Sequence, residues 1–242
     1  MLPAQTPPAS ARASAARLNF GVAPVASKGA LADQVRASVD QLWKIHGSAR
    51  IVKVRAFVAG SSDASKVPGL VAEAFAKKKR PVPVVSVIRV GALEHPAAQV
   101  VLESISEVPT AQNPNGLVFV SGQLTSAPKA PNPAAAPLAE RSLANLKTAL
   151  AGMQVEPPAV LRVTCFASTL TDQTQVRTMM KAQFANAALN LMQIQKDPEN
   201  QEVECEAVAR LTKASNGPVQ LVNPTNAAFA QAAMVNAPEV IF

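Results

Sequence analysis

Residues 51–75, IVKVRAFVAGSSDASKVPGLVAEAF, and residues 160–184, VLRVTCFASTLTDQTQVRTMMKAQF, read as one piece of chain used twice. Val54 and Val163, Phe57 and Phe166, Asp63 and Asp172, Val67 and Val176, and Phe75 and Phe184 are identical pairs at a constant spacing of 109 residues. Solenoid modules repeat every ~20–50 residues, so this spacing points to whole domains in tandem. Each copy opens with a β-branched run, passes through an Asp-containing turn and continues with apolar residues at helical spacing. In the first copy the strand is expected to place Val52, Val54, Ala56 and Val58 on one face. Asp63 has the side chain of an N-cap, and Pro68 falls where a missing N–H costs least.

Working outward, LADQVRASVDQLWKIHG (31–47) reads as a helix ended by Gly47, and LAERSLANLKTALAGM (138–153) as its counterpart. Ser38, Val39 and Leu42 are answered by Ser142, Leu143 and Leu146 at a spacing of 104, the difference being a longer turn in the second copy. PVVSVIRV and QVVLESISEV close the first copy as strands; ALNLMQIQ and QEVECEAVARL close the second. The expected fold class is α+β: two tandem domains, each a mixed sheet with two helices on one face. The expected division is an Ala/Pro-rich arm over 1–17, a first domain over 18–108 and a Pro/Asn/Gly linker over 109–116. A second domain follows over 117–211 and a C-terminal extension over 212–242. LVFVSGQ (117–123) has no clear partner in the first copy, and LTSAPKAPNPAAAP reads as a loop. The extension is expected to add a strand (PVQLVNP) and a short Ala-rich helix (NAAFAQAAM).

The composition excludes several classes. No apolar run reaches the ~18 residues of a membrane-spanning helix. The net charge of +7 lies wholly in residues 1–108, with 14 Lys/Arg against 7 Asp/Glu, while the remainder is balanced at 9 against 9. Lys77, Lys78, Lys79 and Arg80 carry much of that excess directly after a helix, where cations complement the helix dipole. The same run could meet phosphate, but with no Tyr and one Trp there is no basic–aromatic alternation to stack bases, and nucleic acid is not the expected partner. Cys165 and Cys205 are expected as buried free thiols, a disulfide between neighbouring strands being open to them only if their Cβ atoms approach closely. No metal-ligand cluster, phosphate loop or nucleophile elbow is present, so neither metal nor cofactor is expected. The start has no continuous apolar signal core, and the expected compartment is the cytoplasm, an exported chain that has lost its signal being the alternative. In EVECEAV, Glu204 and Glu206 share one face of a strand and Cys205 takes the other. Such a pair can hold water or a substrate amine if it faces a cleft.

Taken with the order of elements, NGLVFVSGQ, VLRVTCFASTLTD and ECEAVA resemble the Rid family, the YjgF-type reactive intermediate (imine/enamine) deaminases. The likeness covers about 113–211 and, more weakly, 31–108. It implies a chorismate-mutase-like fold, a homo-oligomer (a trimer foremost) or a subunit of a larger assembly, and small-molecule clefts between subunits. Ser121, Gly122 and Glu204 match cleft positions, with Ser121 and Glu204 the candidate catalytic pair. Glu206 and Glu103 are further cleft candidates. Active members resemble one another in an arginine that clamps the substrate carboxylate with its planar fork. Val85 and Leu189 stand at that position here, and Val101 stands where the second copy has Glu204. The double loss favours a non-catalytic or divergent protein that binds small molecules or serves assembly. Hydrolysis of an atypical imine is the alternative, and RNA binding or cleavage through the basic first domain a second.

Overall fold

The computed structural model describes residues 6–131, 134–194, 199–225 and 227–242. Parts of the expected arm (1–5), loop (132 and 133), strand (195) and Ala-rich helix (226) lie outside the described residues. The chain forms two compact units, one up to Gln112 together with Glu239–Phe242, the other Asn113–Pro238.

The first unit contains β1 (Arg12–Ala13), β2 (Leu18–Val22), α1 (Leu31–His46), β3 (Arg50–Ala59), α2 (Val67–Lys77), β4 (Val84–Val90), β5 (Ala92–Leu93) and β6 (Val100–Glu107). Its main sheet has the order β2-β6-β3-β4, parallel only between β3 and β4. A parallel pair needs a crossover, and α2 supplies it. Val35, Val39 and Leu42 of α1 and Val67, Val71 and Phe75 of α2 pack on one face of that sheet, against Val54, Ala56, Val58, Val100 and Leu102. Ile51, not Val52, completes this face. The ladder between β3 and β6 slips one residue between Ile51 and Lys53, and such a bulge rotates the following side chains to the other side. Asp63 accepts from Ser65 N–H at 3.1 Å and starts the short 3-10 turn that leads into α2.

The second unit contains β7 (Leu117–Pro128), α3 (Ala136–Gly152), β8 (Val160–Ala167), α4 (Gln173–Gln183), β9 (Ala188–Gln193), β10 (Asn200–Arg210), β11 (Val219–Val222) and β12 (Ala232–Val235). Within the unit the strand order is β11-β12-β7-β10-β8-β9, with β8 and β9 the parallel pair. Its portion β7-β10-β8-β9 reproduces β2-β6-β3-β4 strand for strand, and Val54 faces Val85 as Val163 faces Leu189. The duplication is therefore present in register as well as in sequence. β2 is the counterpart of LVFVSGQ that the sequence did not reveal: Leu18 and Phe20 face Glu107 and Ile105 as Leu117 and Phe119 face Arg210 and Val208.

Four further expectations are corrected. Cys165 and Cys205 stand opposite each other on β8 and β10 with Cα atoms 4.2 Å apart, and they form a disulfide rather than free thiols. The Ala-rich end of the extension forms β12, which lies antiparallel on β7 from Leu117 to Val120. An unpaired strand edge offers a row of backbone partners, and that outweighs the modest helix preference of a few alanines. β7 runs to Pro128 through what reads as loop, because β10 supplies a partner as far as Asn200. In the segment read as an arm, Arg12–Ala13 pairs with β13 (Val240–Ile241).

Candidate active site

The polar corner of the second unit forms where β7 bulges against β10. Cys205 faces Gln123 and Ala207 faces Val120, so Ser121 and Gly122 together oppose Glu206. The bulge leaves ladder groups without strand partners, and α3 satisfies them through Ser142. Its hydroxyl donates to the Gln123 carbonyl at 2.6 Å and accepts from the Cys205 N–H at 3.0 Å. The Glu204 side chain lies across Gly122, and a Cβ built on Gly122 would overlap its carboxylate. That overlap is the local reason for glycine in VSGQ.

Glu204 makes no hydrogen bond or ion pair among the described residues. Burial raises its pKa above the ordinary carboxylate range, and the charges of Glu206 and Glu202 push in the same direction. Ser121 is engaged otherwise: both its N–H and its hydroxyl donate to the Gln231 carbonyl, each at 2.8 Å. Gln231 itself is buried and accepts from Thr225 N–H at 3.2 Å. With its proton committed and no base beside it, Ser121 is not built as a nucleophile.

The other candidate carboxylates are paired. Arg162 donates to Glu206 at 3.1 Å, and Arg55 holds Glu103 through two contacts of 2.8 and 2.6 Å. The Arg55 guanidinium also lies 5.3 Å from the Phe57 ring centroid. Neither arginine is marked by sequence spacing. The pairings follow only once β3–β6 and β8–β10 are in register, with Arg55 directly opposite Glu103. Val85 and Leu189 pack against the cores beneath the helices, on the side of each sheet away from these ion pairs. In the first unit Val22 and Val101 occupy the places of Ser121 and Glu204, and the carboxylate opposite Val22 is Glu103, held by Arg55.

The basic run is partly committed to structure. Lys77 pairs with Glu73 at 2.5 Å one helical turn earlier, and the Lys78 ammonium lies 5.7 Å from the Trp43 ring centroid. His46 is buried at the end of α1 between Ser104 and Ser106, with ring nitrogens 2.7 and 2.8 Å from their hydroxyls. Ser104 Oγ donates to Gly21 O, so it accepts from Nε2–H, leaving Nδ1 to accept from Ser106. Burial lowers the His46 pKa to about 4. A Cβ at Gly21 would come within 2.7 Å of Nε2, so Gly21 and His46 fit together. His95 lies in a loop and accepts from Ala97 N–H at 3.1 Å. Among the described residues no cluster of His, Cys, Asp and Glu could hold a metal ion, and no helix is long and apolar enough to cross a membrane.

The family model described as Endoribonuclease L-PSP matches residues 102–211. Among solved structures, a member of the YjgF protein family from Neisseria meningitidis is 24% identical, covering 41% of this chain and 83% of its own, with a TM-score of 0.34. The YjgF gene product of E. coli is 22% identical, covering 38% and 80%, with a TM-score of 0.34. A chorismatase is 14% identical, covering 80% of this chain and 75% of its own, with a TM-score of 0.31. No curated protein matches the sequence.

Proposed function

We propose, from the premise that residues 102–211 belong to the YjgF/Rid family, that this chain is a divergent member that binds small molecules through Glu204 and does not hydrolyse imino acids. The observation that carries this reading is the position of Leu189. Where active relatives resemble one another in an arginine, an aliphatic side chain packs against the core on the other side of the sheet, and the corner's Arg162 is already held by Glu206. Glu204 is instead an unpartnered acceptor in a partly desolvated site, suited to an ammonium or amine N–H. Ser121 supports the same reading, because its hydroxyl is taken by Gln231. The family resemblance adds a homo-oligomeric assembly, a trimer foremost, to be checked by sedimentation.

The test supplies imino acids generated in situ by an amino acid oxidase and follows ammonia. Ammonia release no faster than the uncatalysed rate, with no effect of Glu204→Ala, is expected; release abolished by Glu204→Ala would overturn the proposal. In parallel, ethanolamine should raise the thermal midpoint of the wild-type chain and not of Glu204→Ala. The raised pKa of Glu204 favours one alternative, hydrolysis of an uncharged imine with Glu204 moving the proton, and an uncharged imine in the same assay distinguishes it. An RNA role through Lys77–Arg80 would lie outside the matched residues, and it requires binding that weakens steeply with salt.

A further inference from the structure

In the first unit α1 ends, β3 begins and α2 ends around one cavity of about 220 Å³. Its apolar walls include Trp43, Ile51, Phe75 and Pro81, and Arg50 and Arg80 complete the lining. Trp43 stands edge-on to the buried Phe75, with ring centroids 5.3 Å apart and planes at 66°, so the indole is held by packing. The volume is below the ~300 Å³ at which drug-sized ligands begin to fit, which leaves room for one ring with a short substituent.

The charge around this cavity selects the ligand further. Arg50 is committed to Glu107 and to the Arg12 carbonyl, both at 2.7 Å. Glu107 is shared with Arg17 and Glu73 with Lys77, so the nearby acids are already neutralised. Arg80 makes no side-chain hydrogen bond or ion pair among the described residues, which leaves its planar fork open at the rim. The carbonyl ends of α1 and α2 also converge here, each worth about half a negative charge, and the full charges of Lys78 and Arg80 exceed them.

We propose that this cavity binds a single-ring aromatic carboxylate, with its ring against Trp43 and its carboxylate on the Arg80 guanidinium. The proposal is independent of the reading of Glu204, which lies in the other unit. Because the chain has one Trp and no Tyr, indole fluorescence reports this cavity alone. Titrating the full chain with benzoate at fixed ionic strength should give a saturable change with Kd on the order of 0.1–1 mM. Benzamide, the neutral isostere, should bind roughly tenfold more weakly, as should Arg80→Ala with benzoate, since a charge-assisted pair is lost in each. Trp43→Phe should lose the optical signal while calorimetry still detects benzoate. A linear response, equal affinity for benzamide, undiminished affinity in Arg80→Ala, or inorganic phosphate competing as strongly as benzoate would each overturn the proposal. The benzamide comparison uses only the wild-type chain, so it decides the matter even if Arg80→Ala does not fold.

Discussion

Replacing Ser142 with alanine removes a hydroxyl that bridges two strands across the β7 bulge. The Gln123 carbonyl and the Cys205 N–H lose their partner in a buried place, where no water can replace it. Each lost bond is worth ~1 kcal/mol net, and stranding the group it served adds up to ~1–3 kcal/mol, so a total near 2–4 kcal/mol is expected. For a chain of this size that is a fall in thermal midpoint of roughly 5–15 °C. The repeat supplies its own control. Ser38, the equivalent residue on α1, is buried, and its hydroxyl has no hydrogen-bond partner among the described residues. Ser38→Ala should therefore be neutral or stabilising, because it deletes an unsatisfied polar atom and leaves none behind. Calorimetry and urea unfolding of both variants measure the contrast. Equal losses in the two, or a larger loss in Ser38→Ala, would refute the account of the bulge.

His46 gives a pH prediction with a definite sign. Its folded pKa of about 4 lies below the unfolded 6.5, so the unfolded chain binds the extra proton first. Stability is full above about pH 7 and falls by on the order of 3 kcal/mol as pH drops from 6.5 towards 4; His46→Asn should flatten urea midpoints over that window. The Cys165–Cys205 disulfide closes a span of 40 residues, and loop-closure arithmetic gives it about 4 kcal/mol. Intact mass should show two hydrogens fewer than the reduced chain, and reductant should act only under denaturing conditions, since both cysteines are fully buried. Gly116 has φ +90°, and a Cβ there would overlap the Val235 carbonyl, whereas Gly60 at φ +59° faces open space. Gly116→Ala should cost more than ~3 kcal/mol and Gly60→Ala about 1 kcal/mol, read from denaturant midpoints.

The constant spacing between the two copies made β3, α2, β8 and α4 legible, because stripe residues such as Val67, Phe75, Val176 and Phe184 must keep helical period to reach a core. LNFGVAP reads as a short strand, but the kinship of β2 with β7 escaped because a five-residue edge strand shares only Leu-x-Phe with it, too little for a period to emerge. The bulge at Val52 escaped because alternation assumes an unbroken ladder. β12 escaped because strand pairing is a property of the edge it meets, not of its alanines. At the candidate site, the VSGQ and ECEAV stretches marked the strands on which Gly122 and Glu204 meet. The partners of Ser121, Glu206 and Glu103 were not legible, for Gln231, Arg162 and Arg55 reach them only through tertiary register.

The pairing of Arg12–Ala13 with Val240–Ile241 brings two segments far apart in the chain side by side, with Ala11 N–H on the Phe242 carbonyl at 3.1 Å. The backbone thus leaves one body and comes home to it, which makes Asn113–Pro238 a guest spliced into a host.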